Sequence, residues 1–195
     1  MASLVLTGDT SGQVTISAPA VAGTNTLTLL AATATNSVNT LATAVASTSG
    51  TSIDFTGLPS WIKKITVMFS SVSLNSTGAF LIQLGDSGGV ETSGYDATLI
   101  IGSNGSANTV NASTAGFPFY SGSAVFTLSG SMIITNITGN TWVEQGVFNN
   151  TVSAPYVTST AGTKTLSATL DRVRITTTTG TDTFDAGTIN ILYEG

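Results

Sequence analysis

The chain of 195 residues has no cysteine, no histidine and little charge, with five Lys or Arg residues against ten Asp or Glu residues. Without cysteine there can be no disulfide, thiol nucleophile or cysteine-ligated metal. Without histidine, the commonest general base and metal ligand is missing. Five basic side chains are too few to neutralise the phosphates of a nucleic acid. The composition therefore argues against an enzyme and against nucleic-acid binding.

Long hydrophobic runs are also missing. No stretch approaches the ~20 apolar residues of a membrane-spanning helix, and even the run from Leu27 to Ala34 is broken by Thr28 and Thr33. The first seven residues, MASLVLT, lack the basic stretch and the long apolar core of a signal peptide. We therefore expect neither membrane insertion nor export by that route.

What the chain does contain is serine, threonine and glycine, in a sequence whose mean hydropathy is nevertheless positive, at +0.35. Apolar residues alternate with polar ones along much of its length, which is the pattern of half-buried strands. The clearest alternating sets are Ile65, Val67 and Phe69; Ala124, Phe126 and Leu128; Val173 and Ile175; and Ile189, Ile191 and Tyr193. Helical spacing is sustained almost nowhere, so the pattern predicts an all-β protein.

Glycine and asparagine separate these strands at short intervals, as in hairpins. The region from Ser123 to Phe148 is predicted to be a three-stranded meander with tight connections at Gly130 and at Gly139-Asn140. Many short strands with such turns are typical of a β-sandwich. We predict an all-β fold, a jelly-roll-like β-sandwich preceded by an extended N-terminal β arm.

The first 40 residues differ from the rest, because they contain one charged residue, Asp9, and no aromatic residue. Three short strand-like pieces, at 4–7, 14–17 and 26–29, cannot bury a core alone. We predict an assembly arm with its linker over residues 1–40, the linker extending over roughly 31–46, and a sandwich domain over 41–195. The apolar positions expected to serve assembly are Leu4, Leu6, Val14, Ile16, Leu27 and Leu29.

The arm contains the string GDTSGQVTISAPAVAGTNTLTLLAAT over residues 8–33. This string resembles a segment that recurs in tail fibres and related tail proteins of bacteriophages, including phages of cyanobacteria. In that family the segment often lies ahead of a distal domain and ends in Leu-Pro-Ala-Ala-Thr. Here Leu30 stands in place of the proline. Residues 53–69, 170–175 and 180–194 resemble the family as well, whereas the middle of the chain, 75–165, does not.

The resemblance implies a homotrimeric structural protein of the virion, without a cofactor, whose arm serves assembly and whose domain faces outward. Its implied partners are further copies of itself, other tail or baseplate proteins and a glycan on the host surface. Its implied location is the virion, in the tail rather than the capsid. An arm of short, unpartnered strands agrees physically, because such strands can pair across subunits.

Carboxylates cluster only near the C-terminus, at Asp171, Asp182 and Asp185. Such residues can bind a hard cation, but their spacing fits no ion-binding motif, and turns or ion pairs with Arg172 and Arg174 are favoured. A glycosidase would need two carboxylates across the scissile bond, and no recognisable motif supplies them. Residues 85–89, GDSGG, are interpreted as a hairpin turn and not as a nucleophile loop. We therefore predict neither a catalytic residue nor a metal site.

Aromatic residues in the middle of the chain suggest carbohydrate binding, because aromatic faces stack on sugar rings while amides and hydroxyls bind the sugar hydroxyls. Phe117 and Trp142 are favoured as core residues. Trp61 is expected to close one end of the domain or to lie in a subunit interface. The candidate glycan-binding residues are Tyr95, Tyr120 and Tyr156.

Three functions remain from the sequence. The first is a short trimeric tail fibre, or a fibre-like tail protein, that contacts the host. The second is a head decoration or cement protein whose arm stabilises the capsid. The third is a stand-alone carbohydrate-binding module with no role in assembly.

Overall fold

Strands form all the regular secondary structure in the described part of the chain. The structure is a computed structural model, and it describes residues 3–7, 13–17, 39–103, 107–120, 122–150 and 156–195. The strands are β1 (Ser3–Thr7), β2 (Gln13–Ser17), β3 (Asn39–Leu41), β4 (Val45–Ala46), β5 (Ile53–Thr56), β6 (Lys64–Leu74), β7 (Ala79–Asp86), β8 (Gly89–Val90), β9 (Tyr95–Ser103), β10 (Thr109–Ser113), β11 (Phe117–Tyr120), β12 (Leu128–Thr138), β13 (Thr141–Asn150), β14 (Tyr156–Thr165), β15 (Arg172–Thr177) and β16 (Phe184–Glu194).

Two antiparallel sheets pack face to face and confirm the predicted β-sandwich. The large sheet has nine strands in the order β10-β9-β14-β13-β12-β6-β16-β3, with β4 also paired to β16. The small sheet has five strands in the order β11-β7-β15-β5, with β8 paired to β7. Every pair in both sheets is antiparallel.

Aromatic rings from both sheets meet in the core. Phe119 of β11 stacks on Phe148 of β13 with ring centroids 4.5 Å apart, and it meets the ring of Phe69 of β6 edge-on at 4.9 Å. On its own sheet Phe119 also stacks on Phe80 at 4.9 Å. Because Phe119 contacts rings of both layers, it joins the edge strand of the small sheet to the large sheet.

The alternating strands behave as the pattern predicts. Ile65, Val67, Val173 and Ile175 are fully buried, while the residues between them are half-exposed. The residues predicted to form a hairpin turn at 85–89 end β7 and begin β8, with Asp86 Oδ1 accepting a hydrogen bond from the Gly88 amide at 2.7 Å. Period-two alternation therefore marks the core-facing positions of these strands correctly.

The predicted meander exists, but its first turn was placed wrongly. Gly130 lies inside β12, where the register with β6 shifts, and its φ of +152° is a conformation that glycine adopts readily. Residues 123–127, predicted as strand, are a turn and an irregular stretch before β12. The meander therefore consists of β12, β13 and β14, and only its turn at Gly139-Asn140 agrees with the prediction.

The predicted linker is shorter than expected, because residues 39–46 belong to the large sheet. Thr40 of β3 pairs with Tyr193 of β16, and Val45 of β4 pairs with Ile189. The Ala42 amide also donates a hydrogen bond to the Ile191 carbonyl of β16, and the Ala42 carbonyl oxygen accepts one from the Asn190 side chain. By its internal contacts, the chain divides into Met1–Asn36 and Ser37–Gly195.

The first unit contains a β-hairpin. Strands β1 and β2 pair antiparallel, with Leu4 opposite Ile16 and Leu6 opposite Val14. Directly opposite positions of an antiparallel pair share a face, so these four predicted assembly positions lie on one face of the hairpin. Leu27 and Leu29, the other two, fall outside the described residues.

The sandwich has two distinct ends. At the first end the register aligns Asn39, Glu194 and Lys64, and the exposed Trp61 packs against Tyr193 with ring centroids 5.8 Å apart. At the second end lie the terminus of β11 and the beginning of β14. In β13, Val143 lies in the row of Lys64 and Glu194, and Asn150 lies opposite Tyr156. These two rows are seven residues apart, hence about 23 Å at about 3.3 Å per residue. The chain thus enters the sandwich at its first end.

Candidate functional site

Two of the three predicted glycan-binding tyrosines come together at the second end. Tyr120 ends β11 of the small sheet, and Tyr156 begins β14 of the large sheet. Their rings stack with centroids 6.1 Å apart and planes inclined by 30°. Both side chains are half-buried, so parts of their rings face solvent.

Phe126 and Asn150 complete what we call the tyrosine cluster. The ring of Phe126 meets the ring of Tyr156 edge-on at 5.9 Å. The Nδ2 of Asn150, at the end of β13, donates a hydrogen bond to the Tyr156 hydroxyl oxygen at 3.0 Å. Gly122, in the connection between Tyr120 and Phe126, has a φ of +79°, a conformation that glycine adopts without strain.

The tyrosine cluster is uncharged. Burial, and then the proximity of Tyr120, raises the pKa of Tyr156 to about 12, so its hydroxyl keeps its proton throughout the physiological range. A neutral hydroxyl and a carboxamide can bind the hydroxyl groups of a ligand, and partly exposed rings can cover its apolar face. The arrangement suits an uncharged polyhydroxyl ligand, and its described residues offer no acid or base for a reaction.

Tyr95, the third candidate, does not belong to this cluster. Its burial contradicts the prediction that it binds a glycan. Only 3% of Tyr95 is exposed, and its ring meets Phe117 edge-on at 5.1 Å. Its hydroxyl accepts a hydrogen bond from the Leu84 amide at 2.7 Å and donates to the Glu91 carbonyl at 3.0 Å. Because the ring has no open face, Tyr95 is a core residue that links β9 to β7. Phe117 and Trp142 are buried, as expected.

Two of the three carboxylates near the C-terminus, Asp171 and Asp185, accept hydrogen bonds within the described structure. Asp171 accepts hydrogen bonds from the guanidinium of Arg172, as predicted, at 2.7 and 3.2 Å. Arg174 instead pairs with Asp54 of β5, at 2.7 and 3.0 Å. Asp185 accepts a hydrogen bond from Ser73 Oγ. The described residues contain no group of three or more acidic, His or Cys side chains positioned to hold a metal ion.

Glu144 is the one acid with a strongly raised pKa in the described structure. It lies on the core-facing side of β13 and is 5% exposed. Thr160 Oγ1 donates a hydrogen bond to Oε1 at 2.8 Å, whereas Oε2 has no partner among the described residues. Burial raises the pKa of Glu144 to about 7. The carboxyl lies between the sheets, where a substrate held at the surface cannot reach it.

Some of these residues could have been found in the sequence. Within β13 the string TWVEQGVFNN alternates, and Glu144 and Asn150 share the core-facing parity of Trp142 and Phe148. Parity alone therefore indicated a buried acid and a buried amide. The sequence singled out Phe126 only as a member of the alternating set at 124–128, and residues 124–127 do not form a strand.

Known proteins offer no comparison for this site. No protein-family model, no curated protein and no solved structure matches the chain. Across the described ranges, no helix is long and apolar enough to cross a membrane. The site is therefore interpreted from its own geometry.

Proposed function

We propose that this protein is a structural component of a bacteriophage virion, a short trimeric tail fibre or fibre-like tail protein that contacts the host surface. The observation that carries the proposal is the difference between the two ends of the sandwich. The chain enters at the first end, beside Glu194 and Lys64, and the tyrosine cluster lies at the second. A fibre needs this separation, because its attachment and its contact surface must point in opposite directions.

The N-terminal hairpin supports an anchoring role for the arm. A two-stranded hairpin is by itself marginally stable in water, and β1 and β2 belong to a unit distinct from the sandwich. Its shared face of Leu4, Leu6, Val14 and Ile16 would be stabilised by packing on another protein. In this proposal that protein is a further copy of the chain or a neighbouring tail protein.

Deleting residues 1–36 is expected to remove the protein from assembled particles and to leave the sandwich folded. The boundary follows the division between the two units. Incorporation is measured by mass spectrometry of purified particles, and folding by the melting temperature of the purified variant. Val14→Asp, which places one charge on the shared face of the hairpin, should give the same loss. Incorporation of the truncated protein at the normal level would contradict the anchoring role.

Tyr120→Ala and Tyr156→Ala are each expected to reduce adsorption of particles to host cells at least tenfold, because each removes part of the stacking surface. Tyr193→Ala is the matched control, since Tyr193 is a partly buried tyrosine at the first end. Adsorption is measured as the loss of free particles over time, and incorporation of each variant is checked. Normal adsorption by both variants, with the protein located on the capsid by electron microscopy, would instead favour a cement protein.

A further inference from the structure

Strand β10 is an open edge of the large sheet. Among the described residues it pairs only with β9, through five consecutive residue pairs from Thr109 opposite Ile101 to Ser113 opposite Ala97. Its other side therefore presents backbone N–H and C=O groups to which a further strand can bond. The first four side chains of β10 are exposed and the fifth is half-exposed. The described part of the sandwich thus covers neither face of this strand.

The other edge strands of the two sheets have features that hinder the addition of a strand. Strand β3 has only three residues, and β11 contains Pro118, which has no N–H to donate. Strand β5 contains Asp54, which is paired with Arg174. Strand β10, with the sequence TVNAS, has no charged residue, no proline and no break in its register with β9. An edge without these features is a site for strand addition.

Strand β2 of the N-terminal hairpin matches β10 in length and in pattern. Each strand has five residues, and neither contains a charged residue, a proline or a glycine. Their sequences, QVTIS and TVNAS, both have apolar residues at the second and fourth positions. An antiparallel pair with Thr15 opposite Asn111 would place Ile16 opposite Val110, which itself lies opposite Ile100 of β9. Apolar positions would then follow one another across three strands, and such cross-strand pairs stabilise a sheet.

We propose that β2 of one copy of this chain pairs antiparallel with β10 of a second copy. The hairpin of β1 and β2 then gains the third strand that a two-stranded sheet needs for its stability. The open backbone groups of β10 gain partners at the same time. Each chain supplies one hairpin and one edge of this kind, so copies of the chain can complete one another without a foreign protein.

The position of β10 in the sheet favours the hairpin of a neighbouring copy. Strands β10 and β3 are opposite edges, seven strand spacings of about 4.8 Å apart, hence about 34 Å along the sheet. The chain enters the sheet at β3, so a hairpin of the same chain would have to pass the full width of the sheet. In a head-to-tail arrangement, the entry edge of one copy instead lies beside β10 of the next. Such contacts can close into a ring, and the number of three copies in it rests on the proposed function.

Thiol cross-linking tests this pairing, because the natural chain has no cysteine. The test chain carries Ile16→Cys and Val110→Cys, and the matched control carries Ile16→Cys and Ile137→Cys. Val110 and Ile137 are both β-branched, at 62% and 61% exposed, but Ile137 belongs to β12, four strands away from β10. Each full-length variant is treated with a short bismaleimide, which tolerates a small shift of register, and is separated on a denaturing gel. The melting temperature of each variant shows that the sandwich is folded.

We expect bands of two and three linked chains from the test chain, at least tenfold stronger than from the control. Adding Asn111→Lys to the test chain should lower this yield at least tenfold, because a lysine on an edge strand hinders strand addition. Equal yields from the test and control chains, or no effect of Asn111→Lys, would overturn the proposal. Linked peptides found only in the band of a single chain would overturn it too, since the hairpin would then pair within its own chain.

This inference and the proposed function can fail separately. If deleting residues 1–36 abolishes incorporation but no linked chains form, the arm binds another tail protein and only its pairing with β10 is overturned. If linked chains form but adsorption does not depend on Tyr120 and Tyr156, the contact with the host is overturned and the pairing stands.

Discussion

Phe119→Ala is expected to lower the free energy of unfolding by about 3–5 kcal/mol, in the range found for large aromatic residues truncated in a core. Phe119 is fully buried and contacts the rings of Phe69, Phe80 and Phe148. Its loss would open a cavity between the two sheets where neither sheet can close it alone. A small domain is stable by only about 5–15 kcal/mol, so the variant should unfold at much lower urea concentration.

Phe126→Ala is the matched control for this prediction. Phe126 undergoes the same chemical change, but it is half-exposed and its one ring contact described is with Tyr156. Its cost should therefore stay near 1 kcal/mol. Urea denaturation followed by tryptophan fluorescence measures both variants. Equal losses in the two would mean that Phe119 does not join the sheets as described.

Glu144→Gln is expected to stabilise the protein at pH 8 and to remove most of its pH dependence between pH 5 and 7.5. In the folded chain the pKa of Glu144 is raised by burial to about 7, against an ordinary value of 4.5. The folded state therefore holds the proton more tightly than the unfolded state, and stability falls as pH rises from about 4.5 to about 7. The two pKa values differ by an amount equivalent to about 3 kcal/mol.

The absence of histidine makes this effect measurable, because few other groups change charge in the same pH range. The charged side chain on the same face of the neighbouring strand, Lys164, is already paired with Glu91 at 2.5 Å. The free energy of unfolding should be measured from pH 4.5 to 8.5 for wild type and variant. A wild-type curve that is flat across this range would show that Glu144 is ionised at little cost.

Glu91→Gln is expected to change the stability in the opposite direction. Burial opposes the charge of Glu91, but hydrogen bonds from Lys164 and Ser167 outweigh it and lower its pKa. Removing this charge leaves Lys164, which is 5% exposed, without its ion-pair partner. We therefore expect Glu91→Gln to destabilise the protein at pH 7, where Glu144→Gln stabilises it.

Local pattern was enough to predict which residues face the core in the regular strands. Ile65, Val67, Val173 and Ile175 were assigned correctly because a half-buried strand repeats every two residues. The pattern failed at Gly130, where a glycine taken for a turn lies at an irregularity inside a strand. A glycine with positive φ is compatible with either structure, and only pairing with β6 decides between them.

Long-range pairing could not be predicted at all. Asp54 and Arg174 are 120 positions apart, and nothing local connects them. For the same reason the sequence suggested three equivalent tyrosines, although only Tyr120 and Tyr156 meet. Tyr95 occupies a core-facing position of β9, which its neighbours Ala97 and Leu99 share. Its parity with these residues was the one available sign that it is buried.

The order of strands in the large sheet has a consequence for the rate of folding. The meander of β12, β13 and β14 joins consecutive segments and can form early, with short loops to close. Apart from the pair of β9 and β10, the rest of the sheet joins remote segments, as when Asn190 of β16 donates to the Ala42 carbonyl, 148 positions away. Domains with such non-local pairing fold over milliseconds to seconds. We therefore expect slow refolding in which the meander becomes protected from hydrogen exchange before β3, β4 and β16 dock.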